Sequence, residues 1–529
     1  MGSSCGYILL HVKYLFLSVA WIDDYSLNFY RYRLKSENLV RMRFVTVNYE
    51  MRDCMRINLP EKVSFIIEKL RQAGYDAYAV GGCVRDVVLG REPQDWDITT
   101  SAKPEQVKEI FRRAGSRDTR LMCMDEDEAA QWKKEPQPFS RCYTIDTGIQ
   151  HGTVTVMLDH EGFEVTTYRI DGEYEDARHP KAVAFTSDLL EDLKRRDFTI
   201  NAMAYNEEAG FVDAFDGLDD LERGVIRCVG KAEDRFGEDA LRMLRAVRFA
   251  AQLGFVIDPD TRAAITSLAD NLSKISAERI QMELVKLLTS PHPEEMRTVY
   301  ETGMADVILP EFSRMMRTPQ HNPHHCGSVG EHTIRSLSEV PQDKVLRLTM
   351  LFHDVAKPDC VTQDENGVDH FHGHPKLGAE MTGQILRRLK FDNDTITRVK
   401  ALVRAHDDRP LPLTERNVRR AIYRNGEAQY PDLFAVKRAD ILAQSDYYKK
   451  EKLEYLDEYE QIYHVIRERE ECLSLKDLAV TGSDLIEAGM APGPEIGRVL
   501  NLMLQEVLDE PELNRKEILL GRYRENLYE

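Results

Sequence analysis

The chain is poor in features that would fix a fold covalently or anchor it to a bilayer. Its nine cysteines are scattered and include no Cys-x-x-Cys pair. They read as reduced thiols of a cytoplasmic protein, not as a disulfide scaffold. No apolar run is clean enough for a membrane span. The best candidate, Tyr7-Ile8-Leu9-Leu10 through Trp21-Ile22, is short and broken by His11 and Lys13. It has no basic n-region and no clear cleavage site, so it makes a poor signal peptide. An excess of positive charge is also missing. The net charge of -19 speaks against a surface devoted to phosphate, although a local basic groove is compatible with an acidic exterior. Short-period repeats are absent.

What is present is a long globular chain. Its 529 residues exceed one ordinary core, which predicts several domains. Residues 1–54 look foreign to the rest and read as a poorly ordered extension. Met55-Arg56-Ile57-Asn58-Leu59-Pro60 looks like a natural beginning, because an amphipathic helix with Val63, Ile66, Ile67 and Leu70 on one face follows it. A mixed α/β segment is expected over 55–205, with strands at Ala77–Val80, Thr153–Leu158 and Phe163–Tyr168. The stretch at about 115–143 interrupts it. That stretch is charged, carries Asp125-Glu126-Asp127-Glu128, Pro136 and Pro138, and reads as an inserted surface loop. Helical periodicity then dominates: a neck over 206–315, a His-rich body over 316–450 and a small tail over 451–529.

The most informative stretch is Gly81-Gly82-Cys83-Val84-Arg85-Asp86 followed by Asp95-Trp96-Asp97. Glycines let backbone N–H groups approach phosphate oxygens. Carboxylates at i and i+2 of a strand share a face and can grip the hard cations that accompany a nucleoside triphosphate. Glu164, in an apolar strand, is the candidate third carboxylate. Arg196 and Asp197 are candidates to hold a triphosphate and a ribose hydroxyl. Asp239 and Arg242, at i and i+3 of an expected helix, would share a face. An Asp acceptor beside an Arg donor matches the amine-plus-ring-acceptor edge of cytosine and adenine, and mismatches guanine and uracil.

These segments, with Thr147-Gly148-Ile149-Gln150-His151-Gly152-Thr153-Val154, Arg195 to Tyr205, Glu238 to Ala246 and Ile275-Ser276-Ala277-Glu278-Arg279-Ile280, resemble class II CCA-adding enzymes (tRNA nucleotidyltransferases) of the bacterial type. The resemblance runs from about Met55 to the C-terminus. It implies an α+β fold: a polymerase-beta-like nucleotidyltransferase head followed by an all-helical neck, body and tail. It implies catalytic metal, Mg²⁺, at Asp95 and Asp97, and selection of CTP and ATP by Asp239 and Arg242. Arg196 and Asp197 would contact sugar and phosphates. Gly81, Gly82, Arg85, Asn201, Arg245 and Arg248 complete the expected nucleotide site. The partners implied are the acceptor stem and 3′ end of tRNA, with no membrane. The 115–143 stretch departs from the family pattern, beside a loop thought to support the switch from C to A addition.

Nine of the fifteen histidines fall between His321 and His406, a density that points to metal. His332, His353-Asp354 and Asp440 would supply four N/O ligands to a divalent transition metal, with room for a water. His374 and His406 are candidates for a second metal or a substrate phosphate. This pattern resembles the HD phosphohydrolases. The expected function is therefore CCA addition with an accessory HD activity. The alternatives are a CC-only or A-only enzyme, a bacterial poly(A) polymerase, and an HD hydrolase on an inert tRNA-binding platform.

Overall fold

A computed structural model describes residues 56–113, 139, 141–149, 152–171 and 183–524. The predicted extension 1–54, most of the predicted insertion, and Gln150 and His151 lie outside the described residues.

The first described helix, α1 (Glu61–Gln72), follows Pro60 and buries Val63, Ile66, Ile67 and Leu70. This spacing of three and four puts all four on one stripe. The head is a seven-stranded sheet built from β1 (Ala77–Val80), β2 (Ile98–Thr100), β3 (Cys142–Gly148), β4 (Thr153–Leu158), β5 (Glu161–Thr167), β8 (Met203–Asn206) and β9 (Gly210–Asp213); a separate hairpin pairs β6 (Arg169–Asp171) with β7 (Val183–Phe185). The strand order is β3-β4-β5-β2-β1-β8-β9. β2 and β5 run parallel, while the other pairs in that sheet are antiparallel. In β4, Val154, Val156 and Leu158 are buried and alternate with partly exposed residues. This period of two is that of a strand with one packed face.

Three sequence-based expectations need correction. The sheet ends at Asp213, not near residue 205, because the β8–β9 hairpin adds an edge strand. The neck is not wholly helical: Val225–Ile226 and Val256–Ile257 form a short parallel pair. The expected insertion ends too late. Cys142 is buried in β3 and bonds toward the Phe111 carbonyl, and the Phe139 ring packs edge-on against Phe65 at 5.0 Å.

The helices that position functional groups are α2 (Gly82–Val88), α3 (Pro104–Arg113), α4 (Leu189–Lys194), α5 (Ala232–Glu238), α6 (Leu241–Leu253), α7 (Ala277–Leu288), α8 (Val329–Ser338), α9 (Lys344–Phe352), α10 (His374–Arg388), α11 (Asn393–Ala405) and α12 (Tyr430–Ala443). Several starts carry side-chain caps: Asp188 for α4, Ser328 for α8, Asp343 for α9 and Asp392 for α11. Such caps satisfy amide donors that the helix leaves unpaired. A continuous apolar core runs from Ile57 to Leu519. Among the described residues, no helix is long and apolar enough to cross a membrane.

Candidate active site and histidine cluster

β1 ends at Val80, and Gly81 turns the chain with φ 83° directly into α2. That φ disfavours any residue with a Cβ. A Cβ on Gly81 would also lie 3.0 Å from Nη1 of Arg196. Gly81→Ala is therefore expected to destabilise the fold by about 1–3 kcal/mol and to raise the KM for nucleotide by displacing Arg196. Urea melts and initial rates check this; wild-type values in both would refute it.

The three predicted carboxylates converge. The Val80 N–H donates to the Asp97 carbonyl, so the chain before β2 continues its ladder with β1. The β2–β5 register sets Ile98 beside Val165. One residue earlier on each strand, Asp97 and Glu164 fall on the opposite, open face, and Asp95 is two residues further on the same side. All three acids are exposed. Asp97 is nevertheless crowded by protein, and that crowding lifts its pKa; Arg196 pulls it down and Asp95 pushes it up. Burial, Asp97 and then Asp95 likewise raise Glu164. Open carboxylates that repel one another are the donor set a hard divalent cation requires, so these residues fit Mg²⁺.

Arg195 and Arg196 stand on the other side of the turn. Both lean on Asp192 of α4, at 2.8 and 3.5 Å. Burial would raise the Asp192 pKa, but the two arginines outweigh it and hold the acid below its usual range. Nε of Arg196 is buried without a hydrogen-bond partner, which leaves a donor available to an anion.

The remaining predicted nucleotide-binding residues are mostly engaged with one another. Asp197 is buried. Its Oδ1 accepts from the Phe198 N–H at 2.8 Å and from Asn201 at 3.1 Å. Its Oδ2 accepts twice from Arg245, at 2.9 and 2.6 Å. Burial opposes its charge, but Arg245, Asn201 and Arg242 hold the acid far below the usual carboxylate range. With two bonds on each oxygen, Asp197 organises Arg245 and Asn201; the expected ribose contact would need one of these bonds to yield. Arg85 donates to Asn201 at 2.7 Å. Phe249 gathers three cations, with Arg85, Arg245 and Arg248 at 5.0, 5.4 and 3.9 Å from its ring centre.

Asp239 and Arg242 do not form the helical pair the spacing predicts. α5 stops at Glu238 and α6 starts at Leu241, with Asp239 extended between them. An Asp side chain competes with helix geometry by bonding a nearby amide, and here Asp239 Oδ1 accepts from the Leu241 N–H at 3.1 Å. Its carboxylate faces Arg279, with contacts of 3.2 and 2.7 Å. Arg242 instead meets Glu238 at 2.6 Å and the Arg195 carbonyl at 2.9 Å. Sequence reasoning quoted Arg279 without a role and missed Glu283, which lies 2.5 Å from Arg248. The signal for both was a charge on the buried side of α7.

The His-rich expectation converges as a double cluster. His332 Nε2 lies 2.9 Å from Asp440 and 3.2 Å from His353 Nε2, which is 3.3 Å from Asp354 Oδ2. His374 Nε2 lies 3.2 Å from His406 Nε2, and these two are 3.4 and 3.7 Å from the other Asp354 oxygen. α9 ends at Phe352, so His353-Asp354 sit in the turn after it. Nδ1 of His353, His374 and His406 each lies 2.7 Å from a backbone carbonyl. A carbonyl only accepts, so Nδ1 carries a ring proton, and Nε2 is the nitrogen left to bind metal. Nε2 atoms facing across 3.2 Å fit divalent metal between them. Burial, then His353 and His374, pull His406 down to about 4, which keeps it a neutral ligand. Two further groups escaped the sequence reading. Lys357 lies 2.7 Å from Asp354. Half-buried His325 lines an open cavity of about 270 Å³ with Asp354, His374, His406 and Asp440.

Head sheet, glycine turn and acid triad together define a nucleotidyltransferase. The family model described as the poly A polymerase head domain matches residues 77–137 and 125–227. Models for the RNA- and SrmB-binding site of polymerase A and for tRNA nucleotidyltransferase domain 2 match 254–316 and 374–522. The CCA-adding enzyme of Levilactobacillus brevis is 34% identical over 468 residues, 88% of this chain and 98% of that protein. That of Lactiplantibacillus plantarum is 34% identical over 460 residues, 86% of this chain and 93% of that protein. The crystal structure of the Bacillus stearothermophilus CCA-adding enzyme in complex with CTP superposes with TM-score 0.61 at 30% identity, covering 89% of this chain and 99% of that one. The chain belongs to the CCA-adding enzyme family of tRNA nucleotidyltransferases.

Proposed function

We propose that this enzyme adds or repairs the 3′-terminal CCA of tRNA without a nucleic-acid template, using CTP and ATP and working in the cytoplasm. The observation that carries the reading is the convergence of Asp95, Asp97 and Glu164 on the open face of the head sheet, beside the Gly81 turn. The CTP bound by the Bacillus stearothermophilus relative supports the substrate class. In the reaction, the RNA 3′-hydroxyl loses its proton to solvent and its oxygen bonds to the α-phosphorus, while the bond from that phosphorus to the oxygen bridging to the β-phosphate breaks and pyrophosphate leaves. Gly81 and Gly82 leave room for the phosphates, and Arg196 faces them with its unpaired Nε. Bound at Asp95 and Asp97, Mg²⁺ supplies charge neutralisation and a more acidic 3′-hydroxyl. Asp197 keeps Arg245 and Asn201 in place, so the site is ordered before nucleotide enters.

The double histidine cluster supports a second activity: hydrolysis of phosphomonoesters or cyclic phosphates. The inward-facing Nε2 atoms and Asp354, which has one oxygen toward each cluster, favour it over a set of core histidines.

The test is to incubate the protein with tRNA lacking CCA and with each nucleotide singly and together, then sequence the 3′ ends. The expected products are CC from CTP alone and CCA from CTP with ATP. Long A tails from ATP alone would favour a poly(A) polymerase, and stalling at CC a partial enzyme.

A further inference from the structure

We propose that Arg279 is a specificity-determining positioning residue, whose guanidinium fork holds Asp239 as an acceptor-only reader of the incoming base. This rests on Asp239 being a base reader. The residue expected to pair with Asp239 does not do so, since Arg242 is engaged by Glu238 and by the carbonyls of Arg195 and Arg235. The cation on Asp239 comes from α7, 40 residues along the chain. Arg279 places Nη1 3.2 Å from Oδ1 and Nη2 2.7 Å from Oδ2. One turn later on α7, Glu283 holds Arg248 at 2.5 Å and lies 3.8 Å from Arg245. The same side of α7 thus clamps the acid before α6 and two arginines on it.

Counting acceptor positions gives the consequence. A carboxylate oxygen accepts about two hydrogen bonds. Oδ1 already takes the Leu241 N–H and Arg279 Nη1; Oδ2 takes Arg279 Nη2. One acceptor position remains, on Oδ2. A guanidinium only donates, so a carboxylate spanned by it has no place for a proton of its own toward that partner. Cytosine and adenine offer an exocyclic amine, which suits the remaining position. Uracil and guanine offer a carbonyl oxygen there, and acceptor meets acceptor. Without the fork, the carboxylate can turn its acceptor oxygen away from the base, and a carbonyl is then tolerated. Rejection of the wrong bases thus depends on a residue that need not touch them.

The test measures kcat/KM for CTP, ATP, UTP and GTP on tRNA acceptors, using Asp239→Ala, Arg279→Gln, Arg279→Lys and the double variant Asp239→Ala with Arg279→Gln. Arg279→Gln is expected to lower the CTP:UTP ratio by about tenfold or more, with Arg279→Lys between it and wild type. The double variant should match Asp239→Ala alone, because Arg279 acts through Asp239. A merely structural role would lower all four rates together and leave the ratio intact. If Asp239→Ala relaxes selectivity and Arg279→Gln does not, the Arg279 proposal falls by itself. If Asp239→Ala leaves the ratio unchanged, the base-reading assignment falls, and this proposal with it. Thermal melts accompany each variant; should Arg279→Gln fail to fold, Arg279→Lys decides by the same ratio.

Discussion

Asp97→Ala, or Asp95→Ala, is expected to lower nucleotide addition by at least about 10²–10³-fold while tRNA binding persists. Each change removes a carboxylate expected to hold Mg²⁺ and leaves the backbone pairing of β1, β2 and β5 alone. Stability should move the other way. Burial and Asp95 raise the Asp97 pKa against the pull of Arg196. An acid whose pKa is raised on folding favours the folded state when protonated, and that advantage is lost as pH climbs through the carboxylate range. At neutral pH the charged form is a strain on the fold. Asp97→Asn should therefore melt at or above the wild-type temperature, with activity gone. A variant with near-normal turnover in Mg²⁺ would sink the catalytic assignment. Lost activity together with a large fall in melting temperature would mark Asp97 as structural.

The second large effect is expected in the other half of the chain. His353→Ala with Asp354→Ala should end metal-dependent hydrolysis of a 2′,3′-cyclic phosphate or an aryl phosphate, and should spare CCA addition. The pair anchors both clusters, because His353 meets His332 and Asp354 meets His374 and His406. Asp354 also neutralises buried Lys357, so the variant leaves an uncompensated ammonium and must be checked by thermal melt. Chelation gives a readout independent of turnover. Stripping divalent metal should lower the melting temperature of the wild type and leave that of the double variant unmoved. Equal melts before and after chelation in the wild type, with hydrolysis intact in the double variant, would leave the cluster as packed core histidines.

Local patterning made much of this architecture legible. The stripe Val63, Ile66, Ile67 and Leu70 gave α1, and alternation gave β4, because each pattern lies within one element. Two of the three acids stood out for a related reason: Asp97 and Glu164 are polar residues next to buried strand positions. Failures came where a side chain bonds out of its own element. Asp239 looked helical by spacing, but its carboxylate bonds the next helix's amide and a distant arginine. The β8–β9 edge was missed because all four β9 residues are half-buried and show no alternation.

The parallel pairing of β2 with β5 has a consequence for how this enzyme tolerates change in length. Parallel strands must be joined by a crossover, and here it runs from Thr100 through α3, β3 and β4 before returning at Glu161. The charged stretch expected from the sequence to be an insertion falls inside that crossover, after α3. For a flexible loop, each doubling of length adds only about 0.6 kcal/mol of closure entropy. Asp97 and Glu164 are meanwhile set by the ladder register Ile98 to Val165, which does not depend on the path between the strands. The length of chain between α3 and β3 and the spacing of the two acids are thus thermodynamically decoupled.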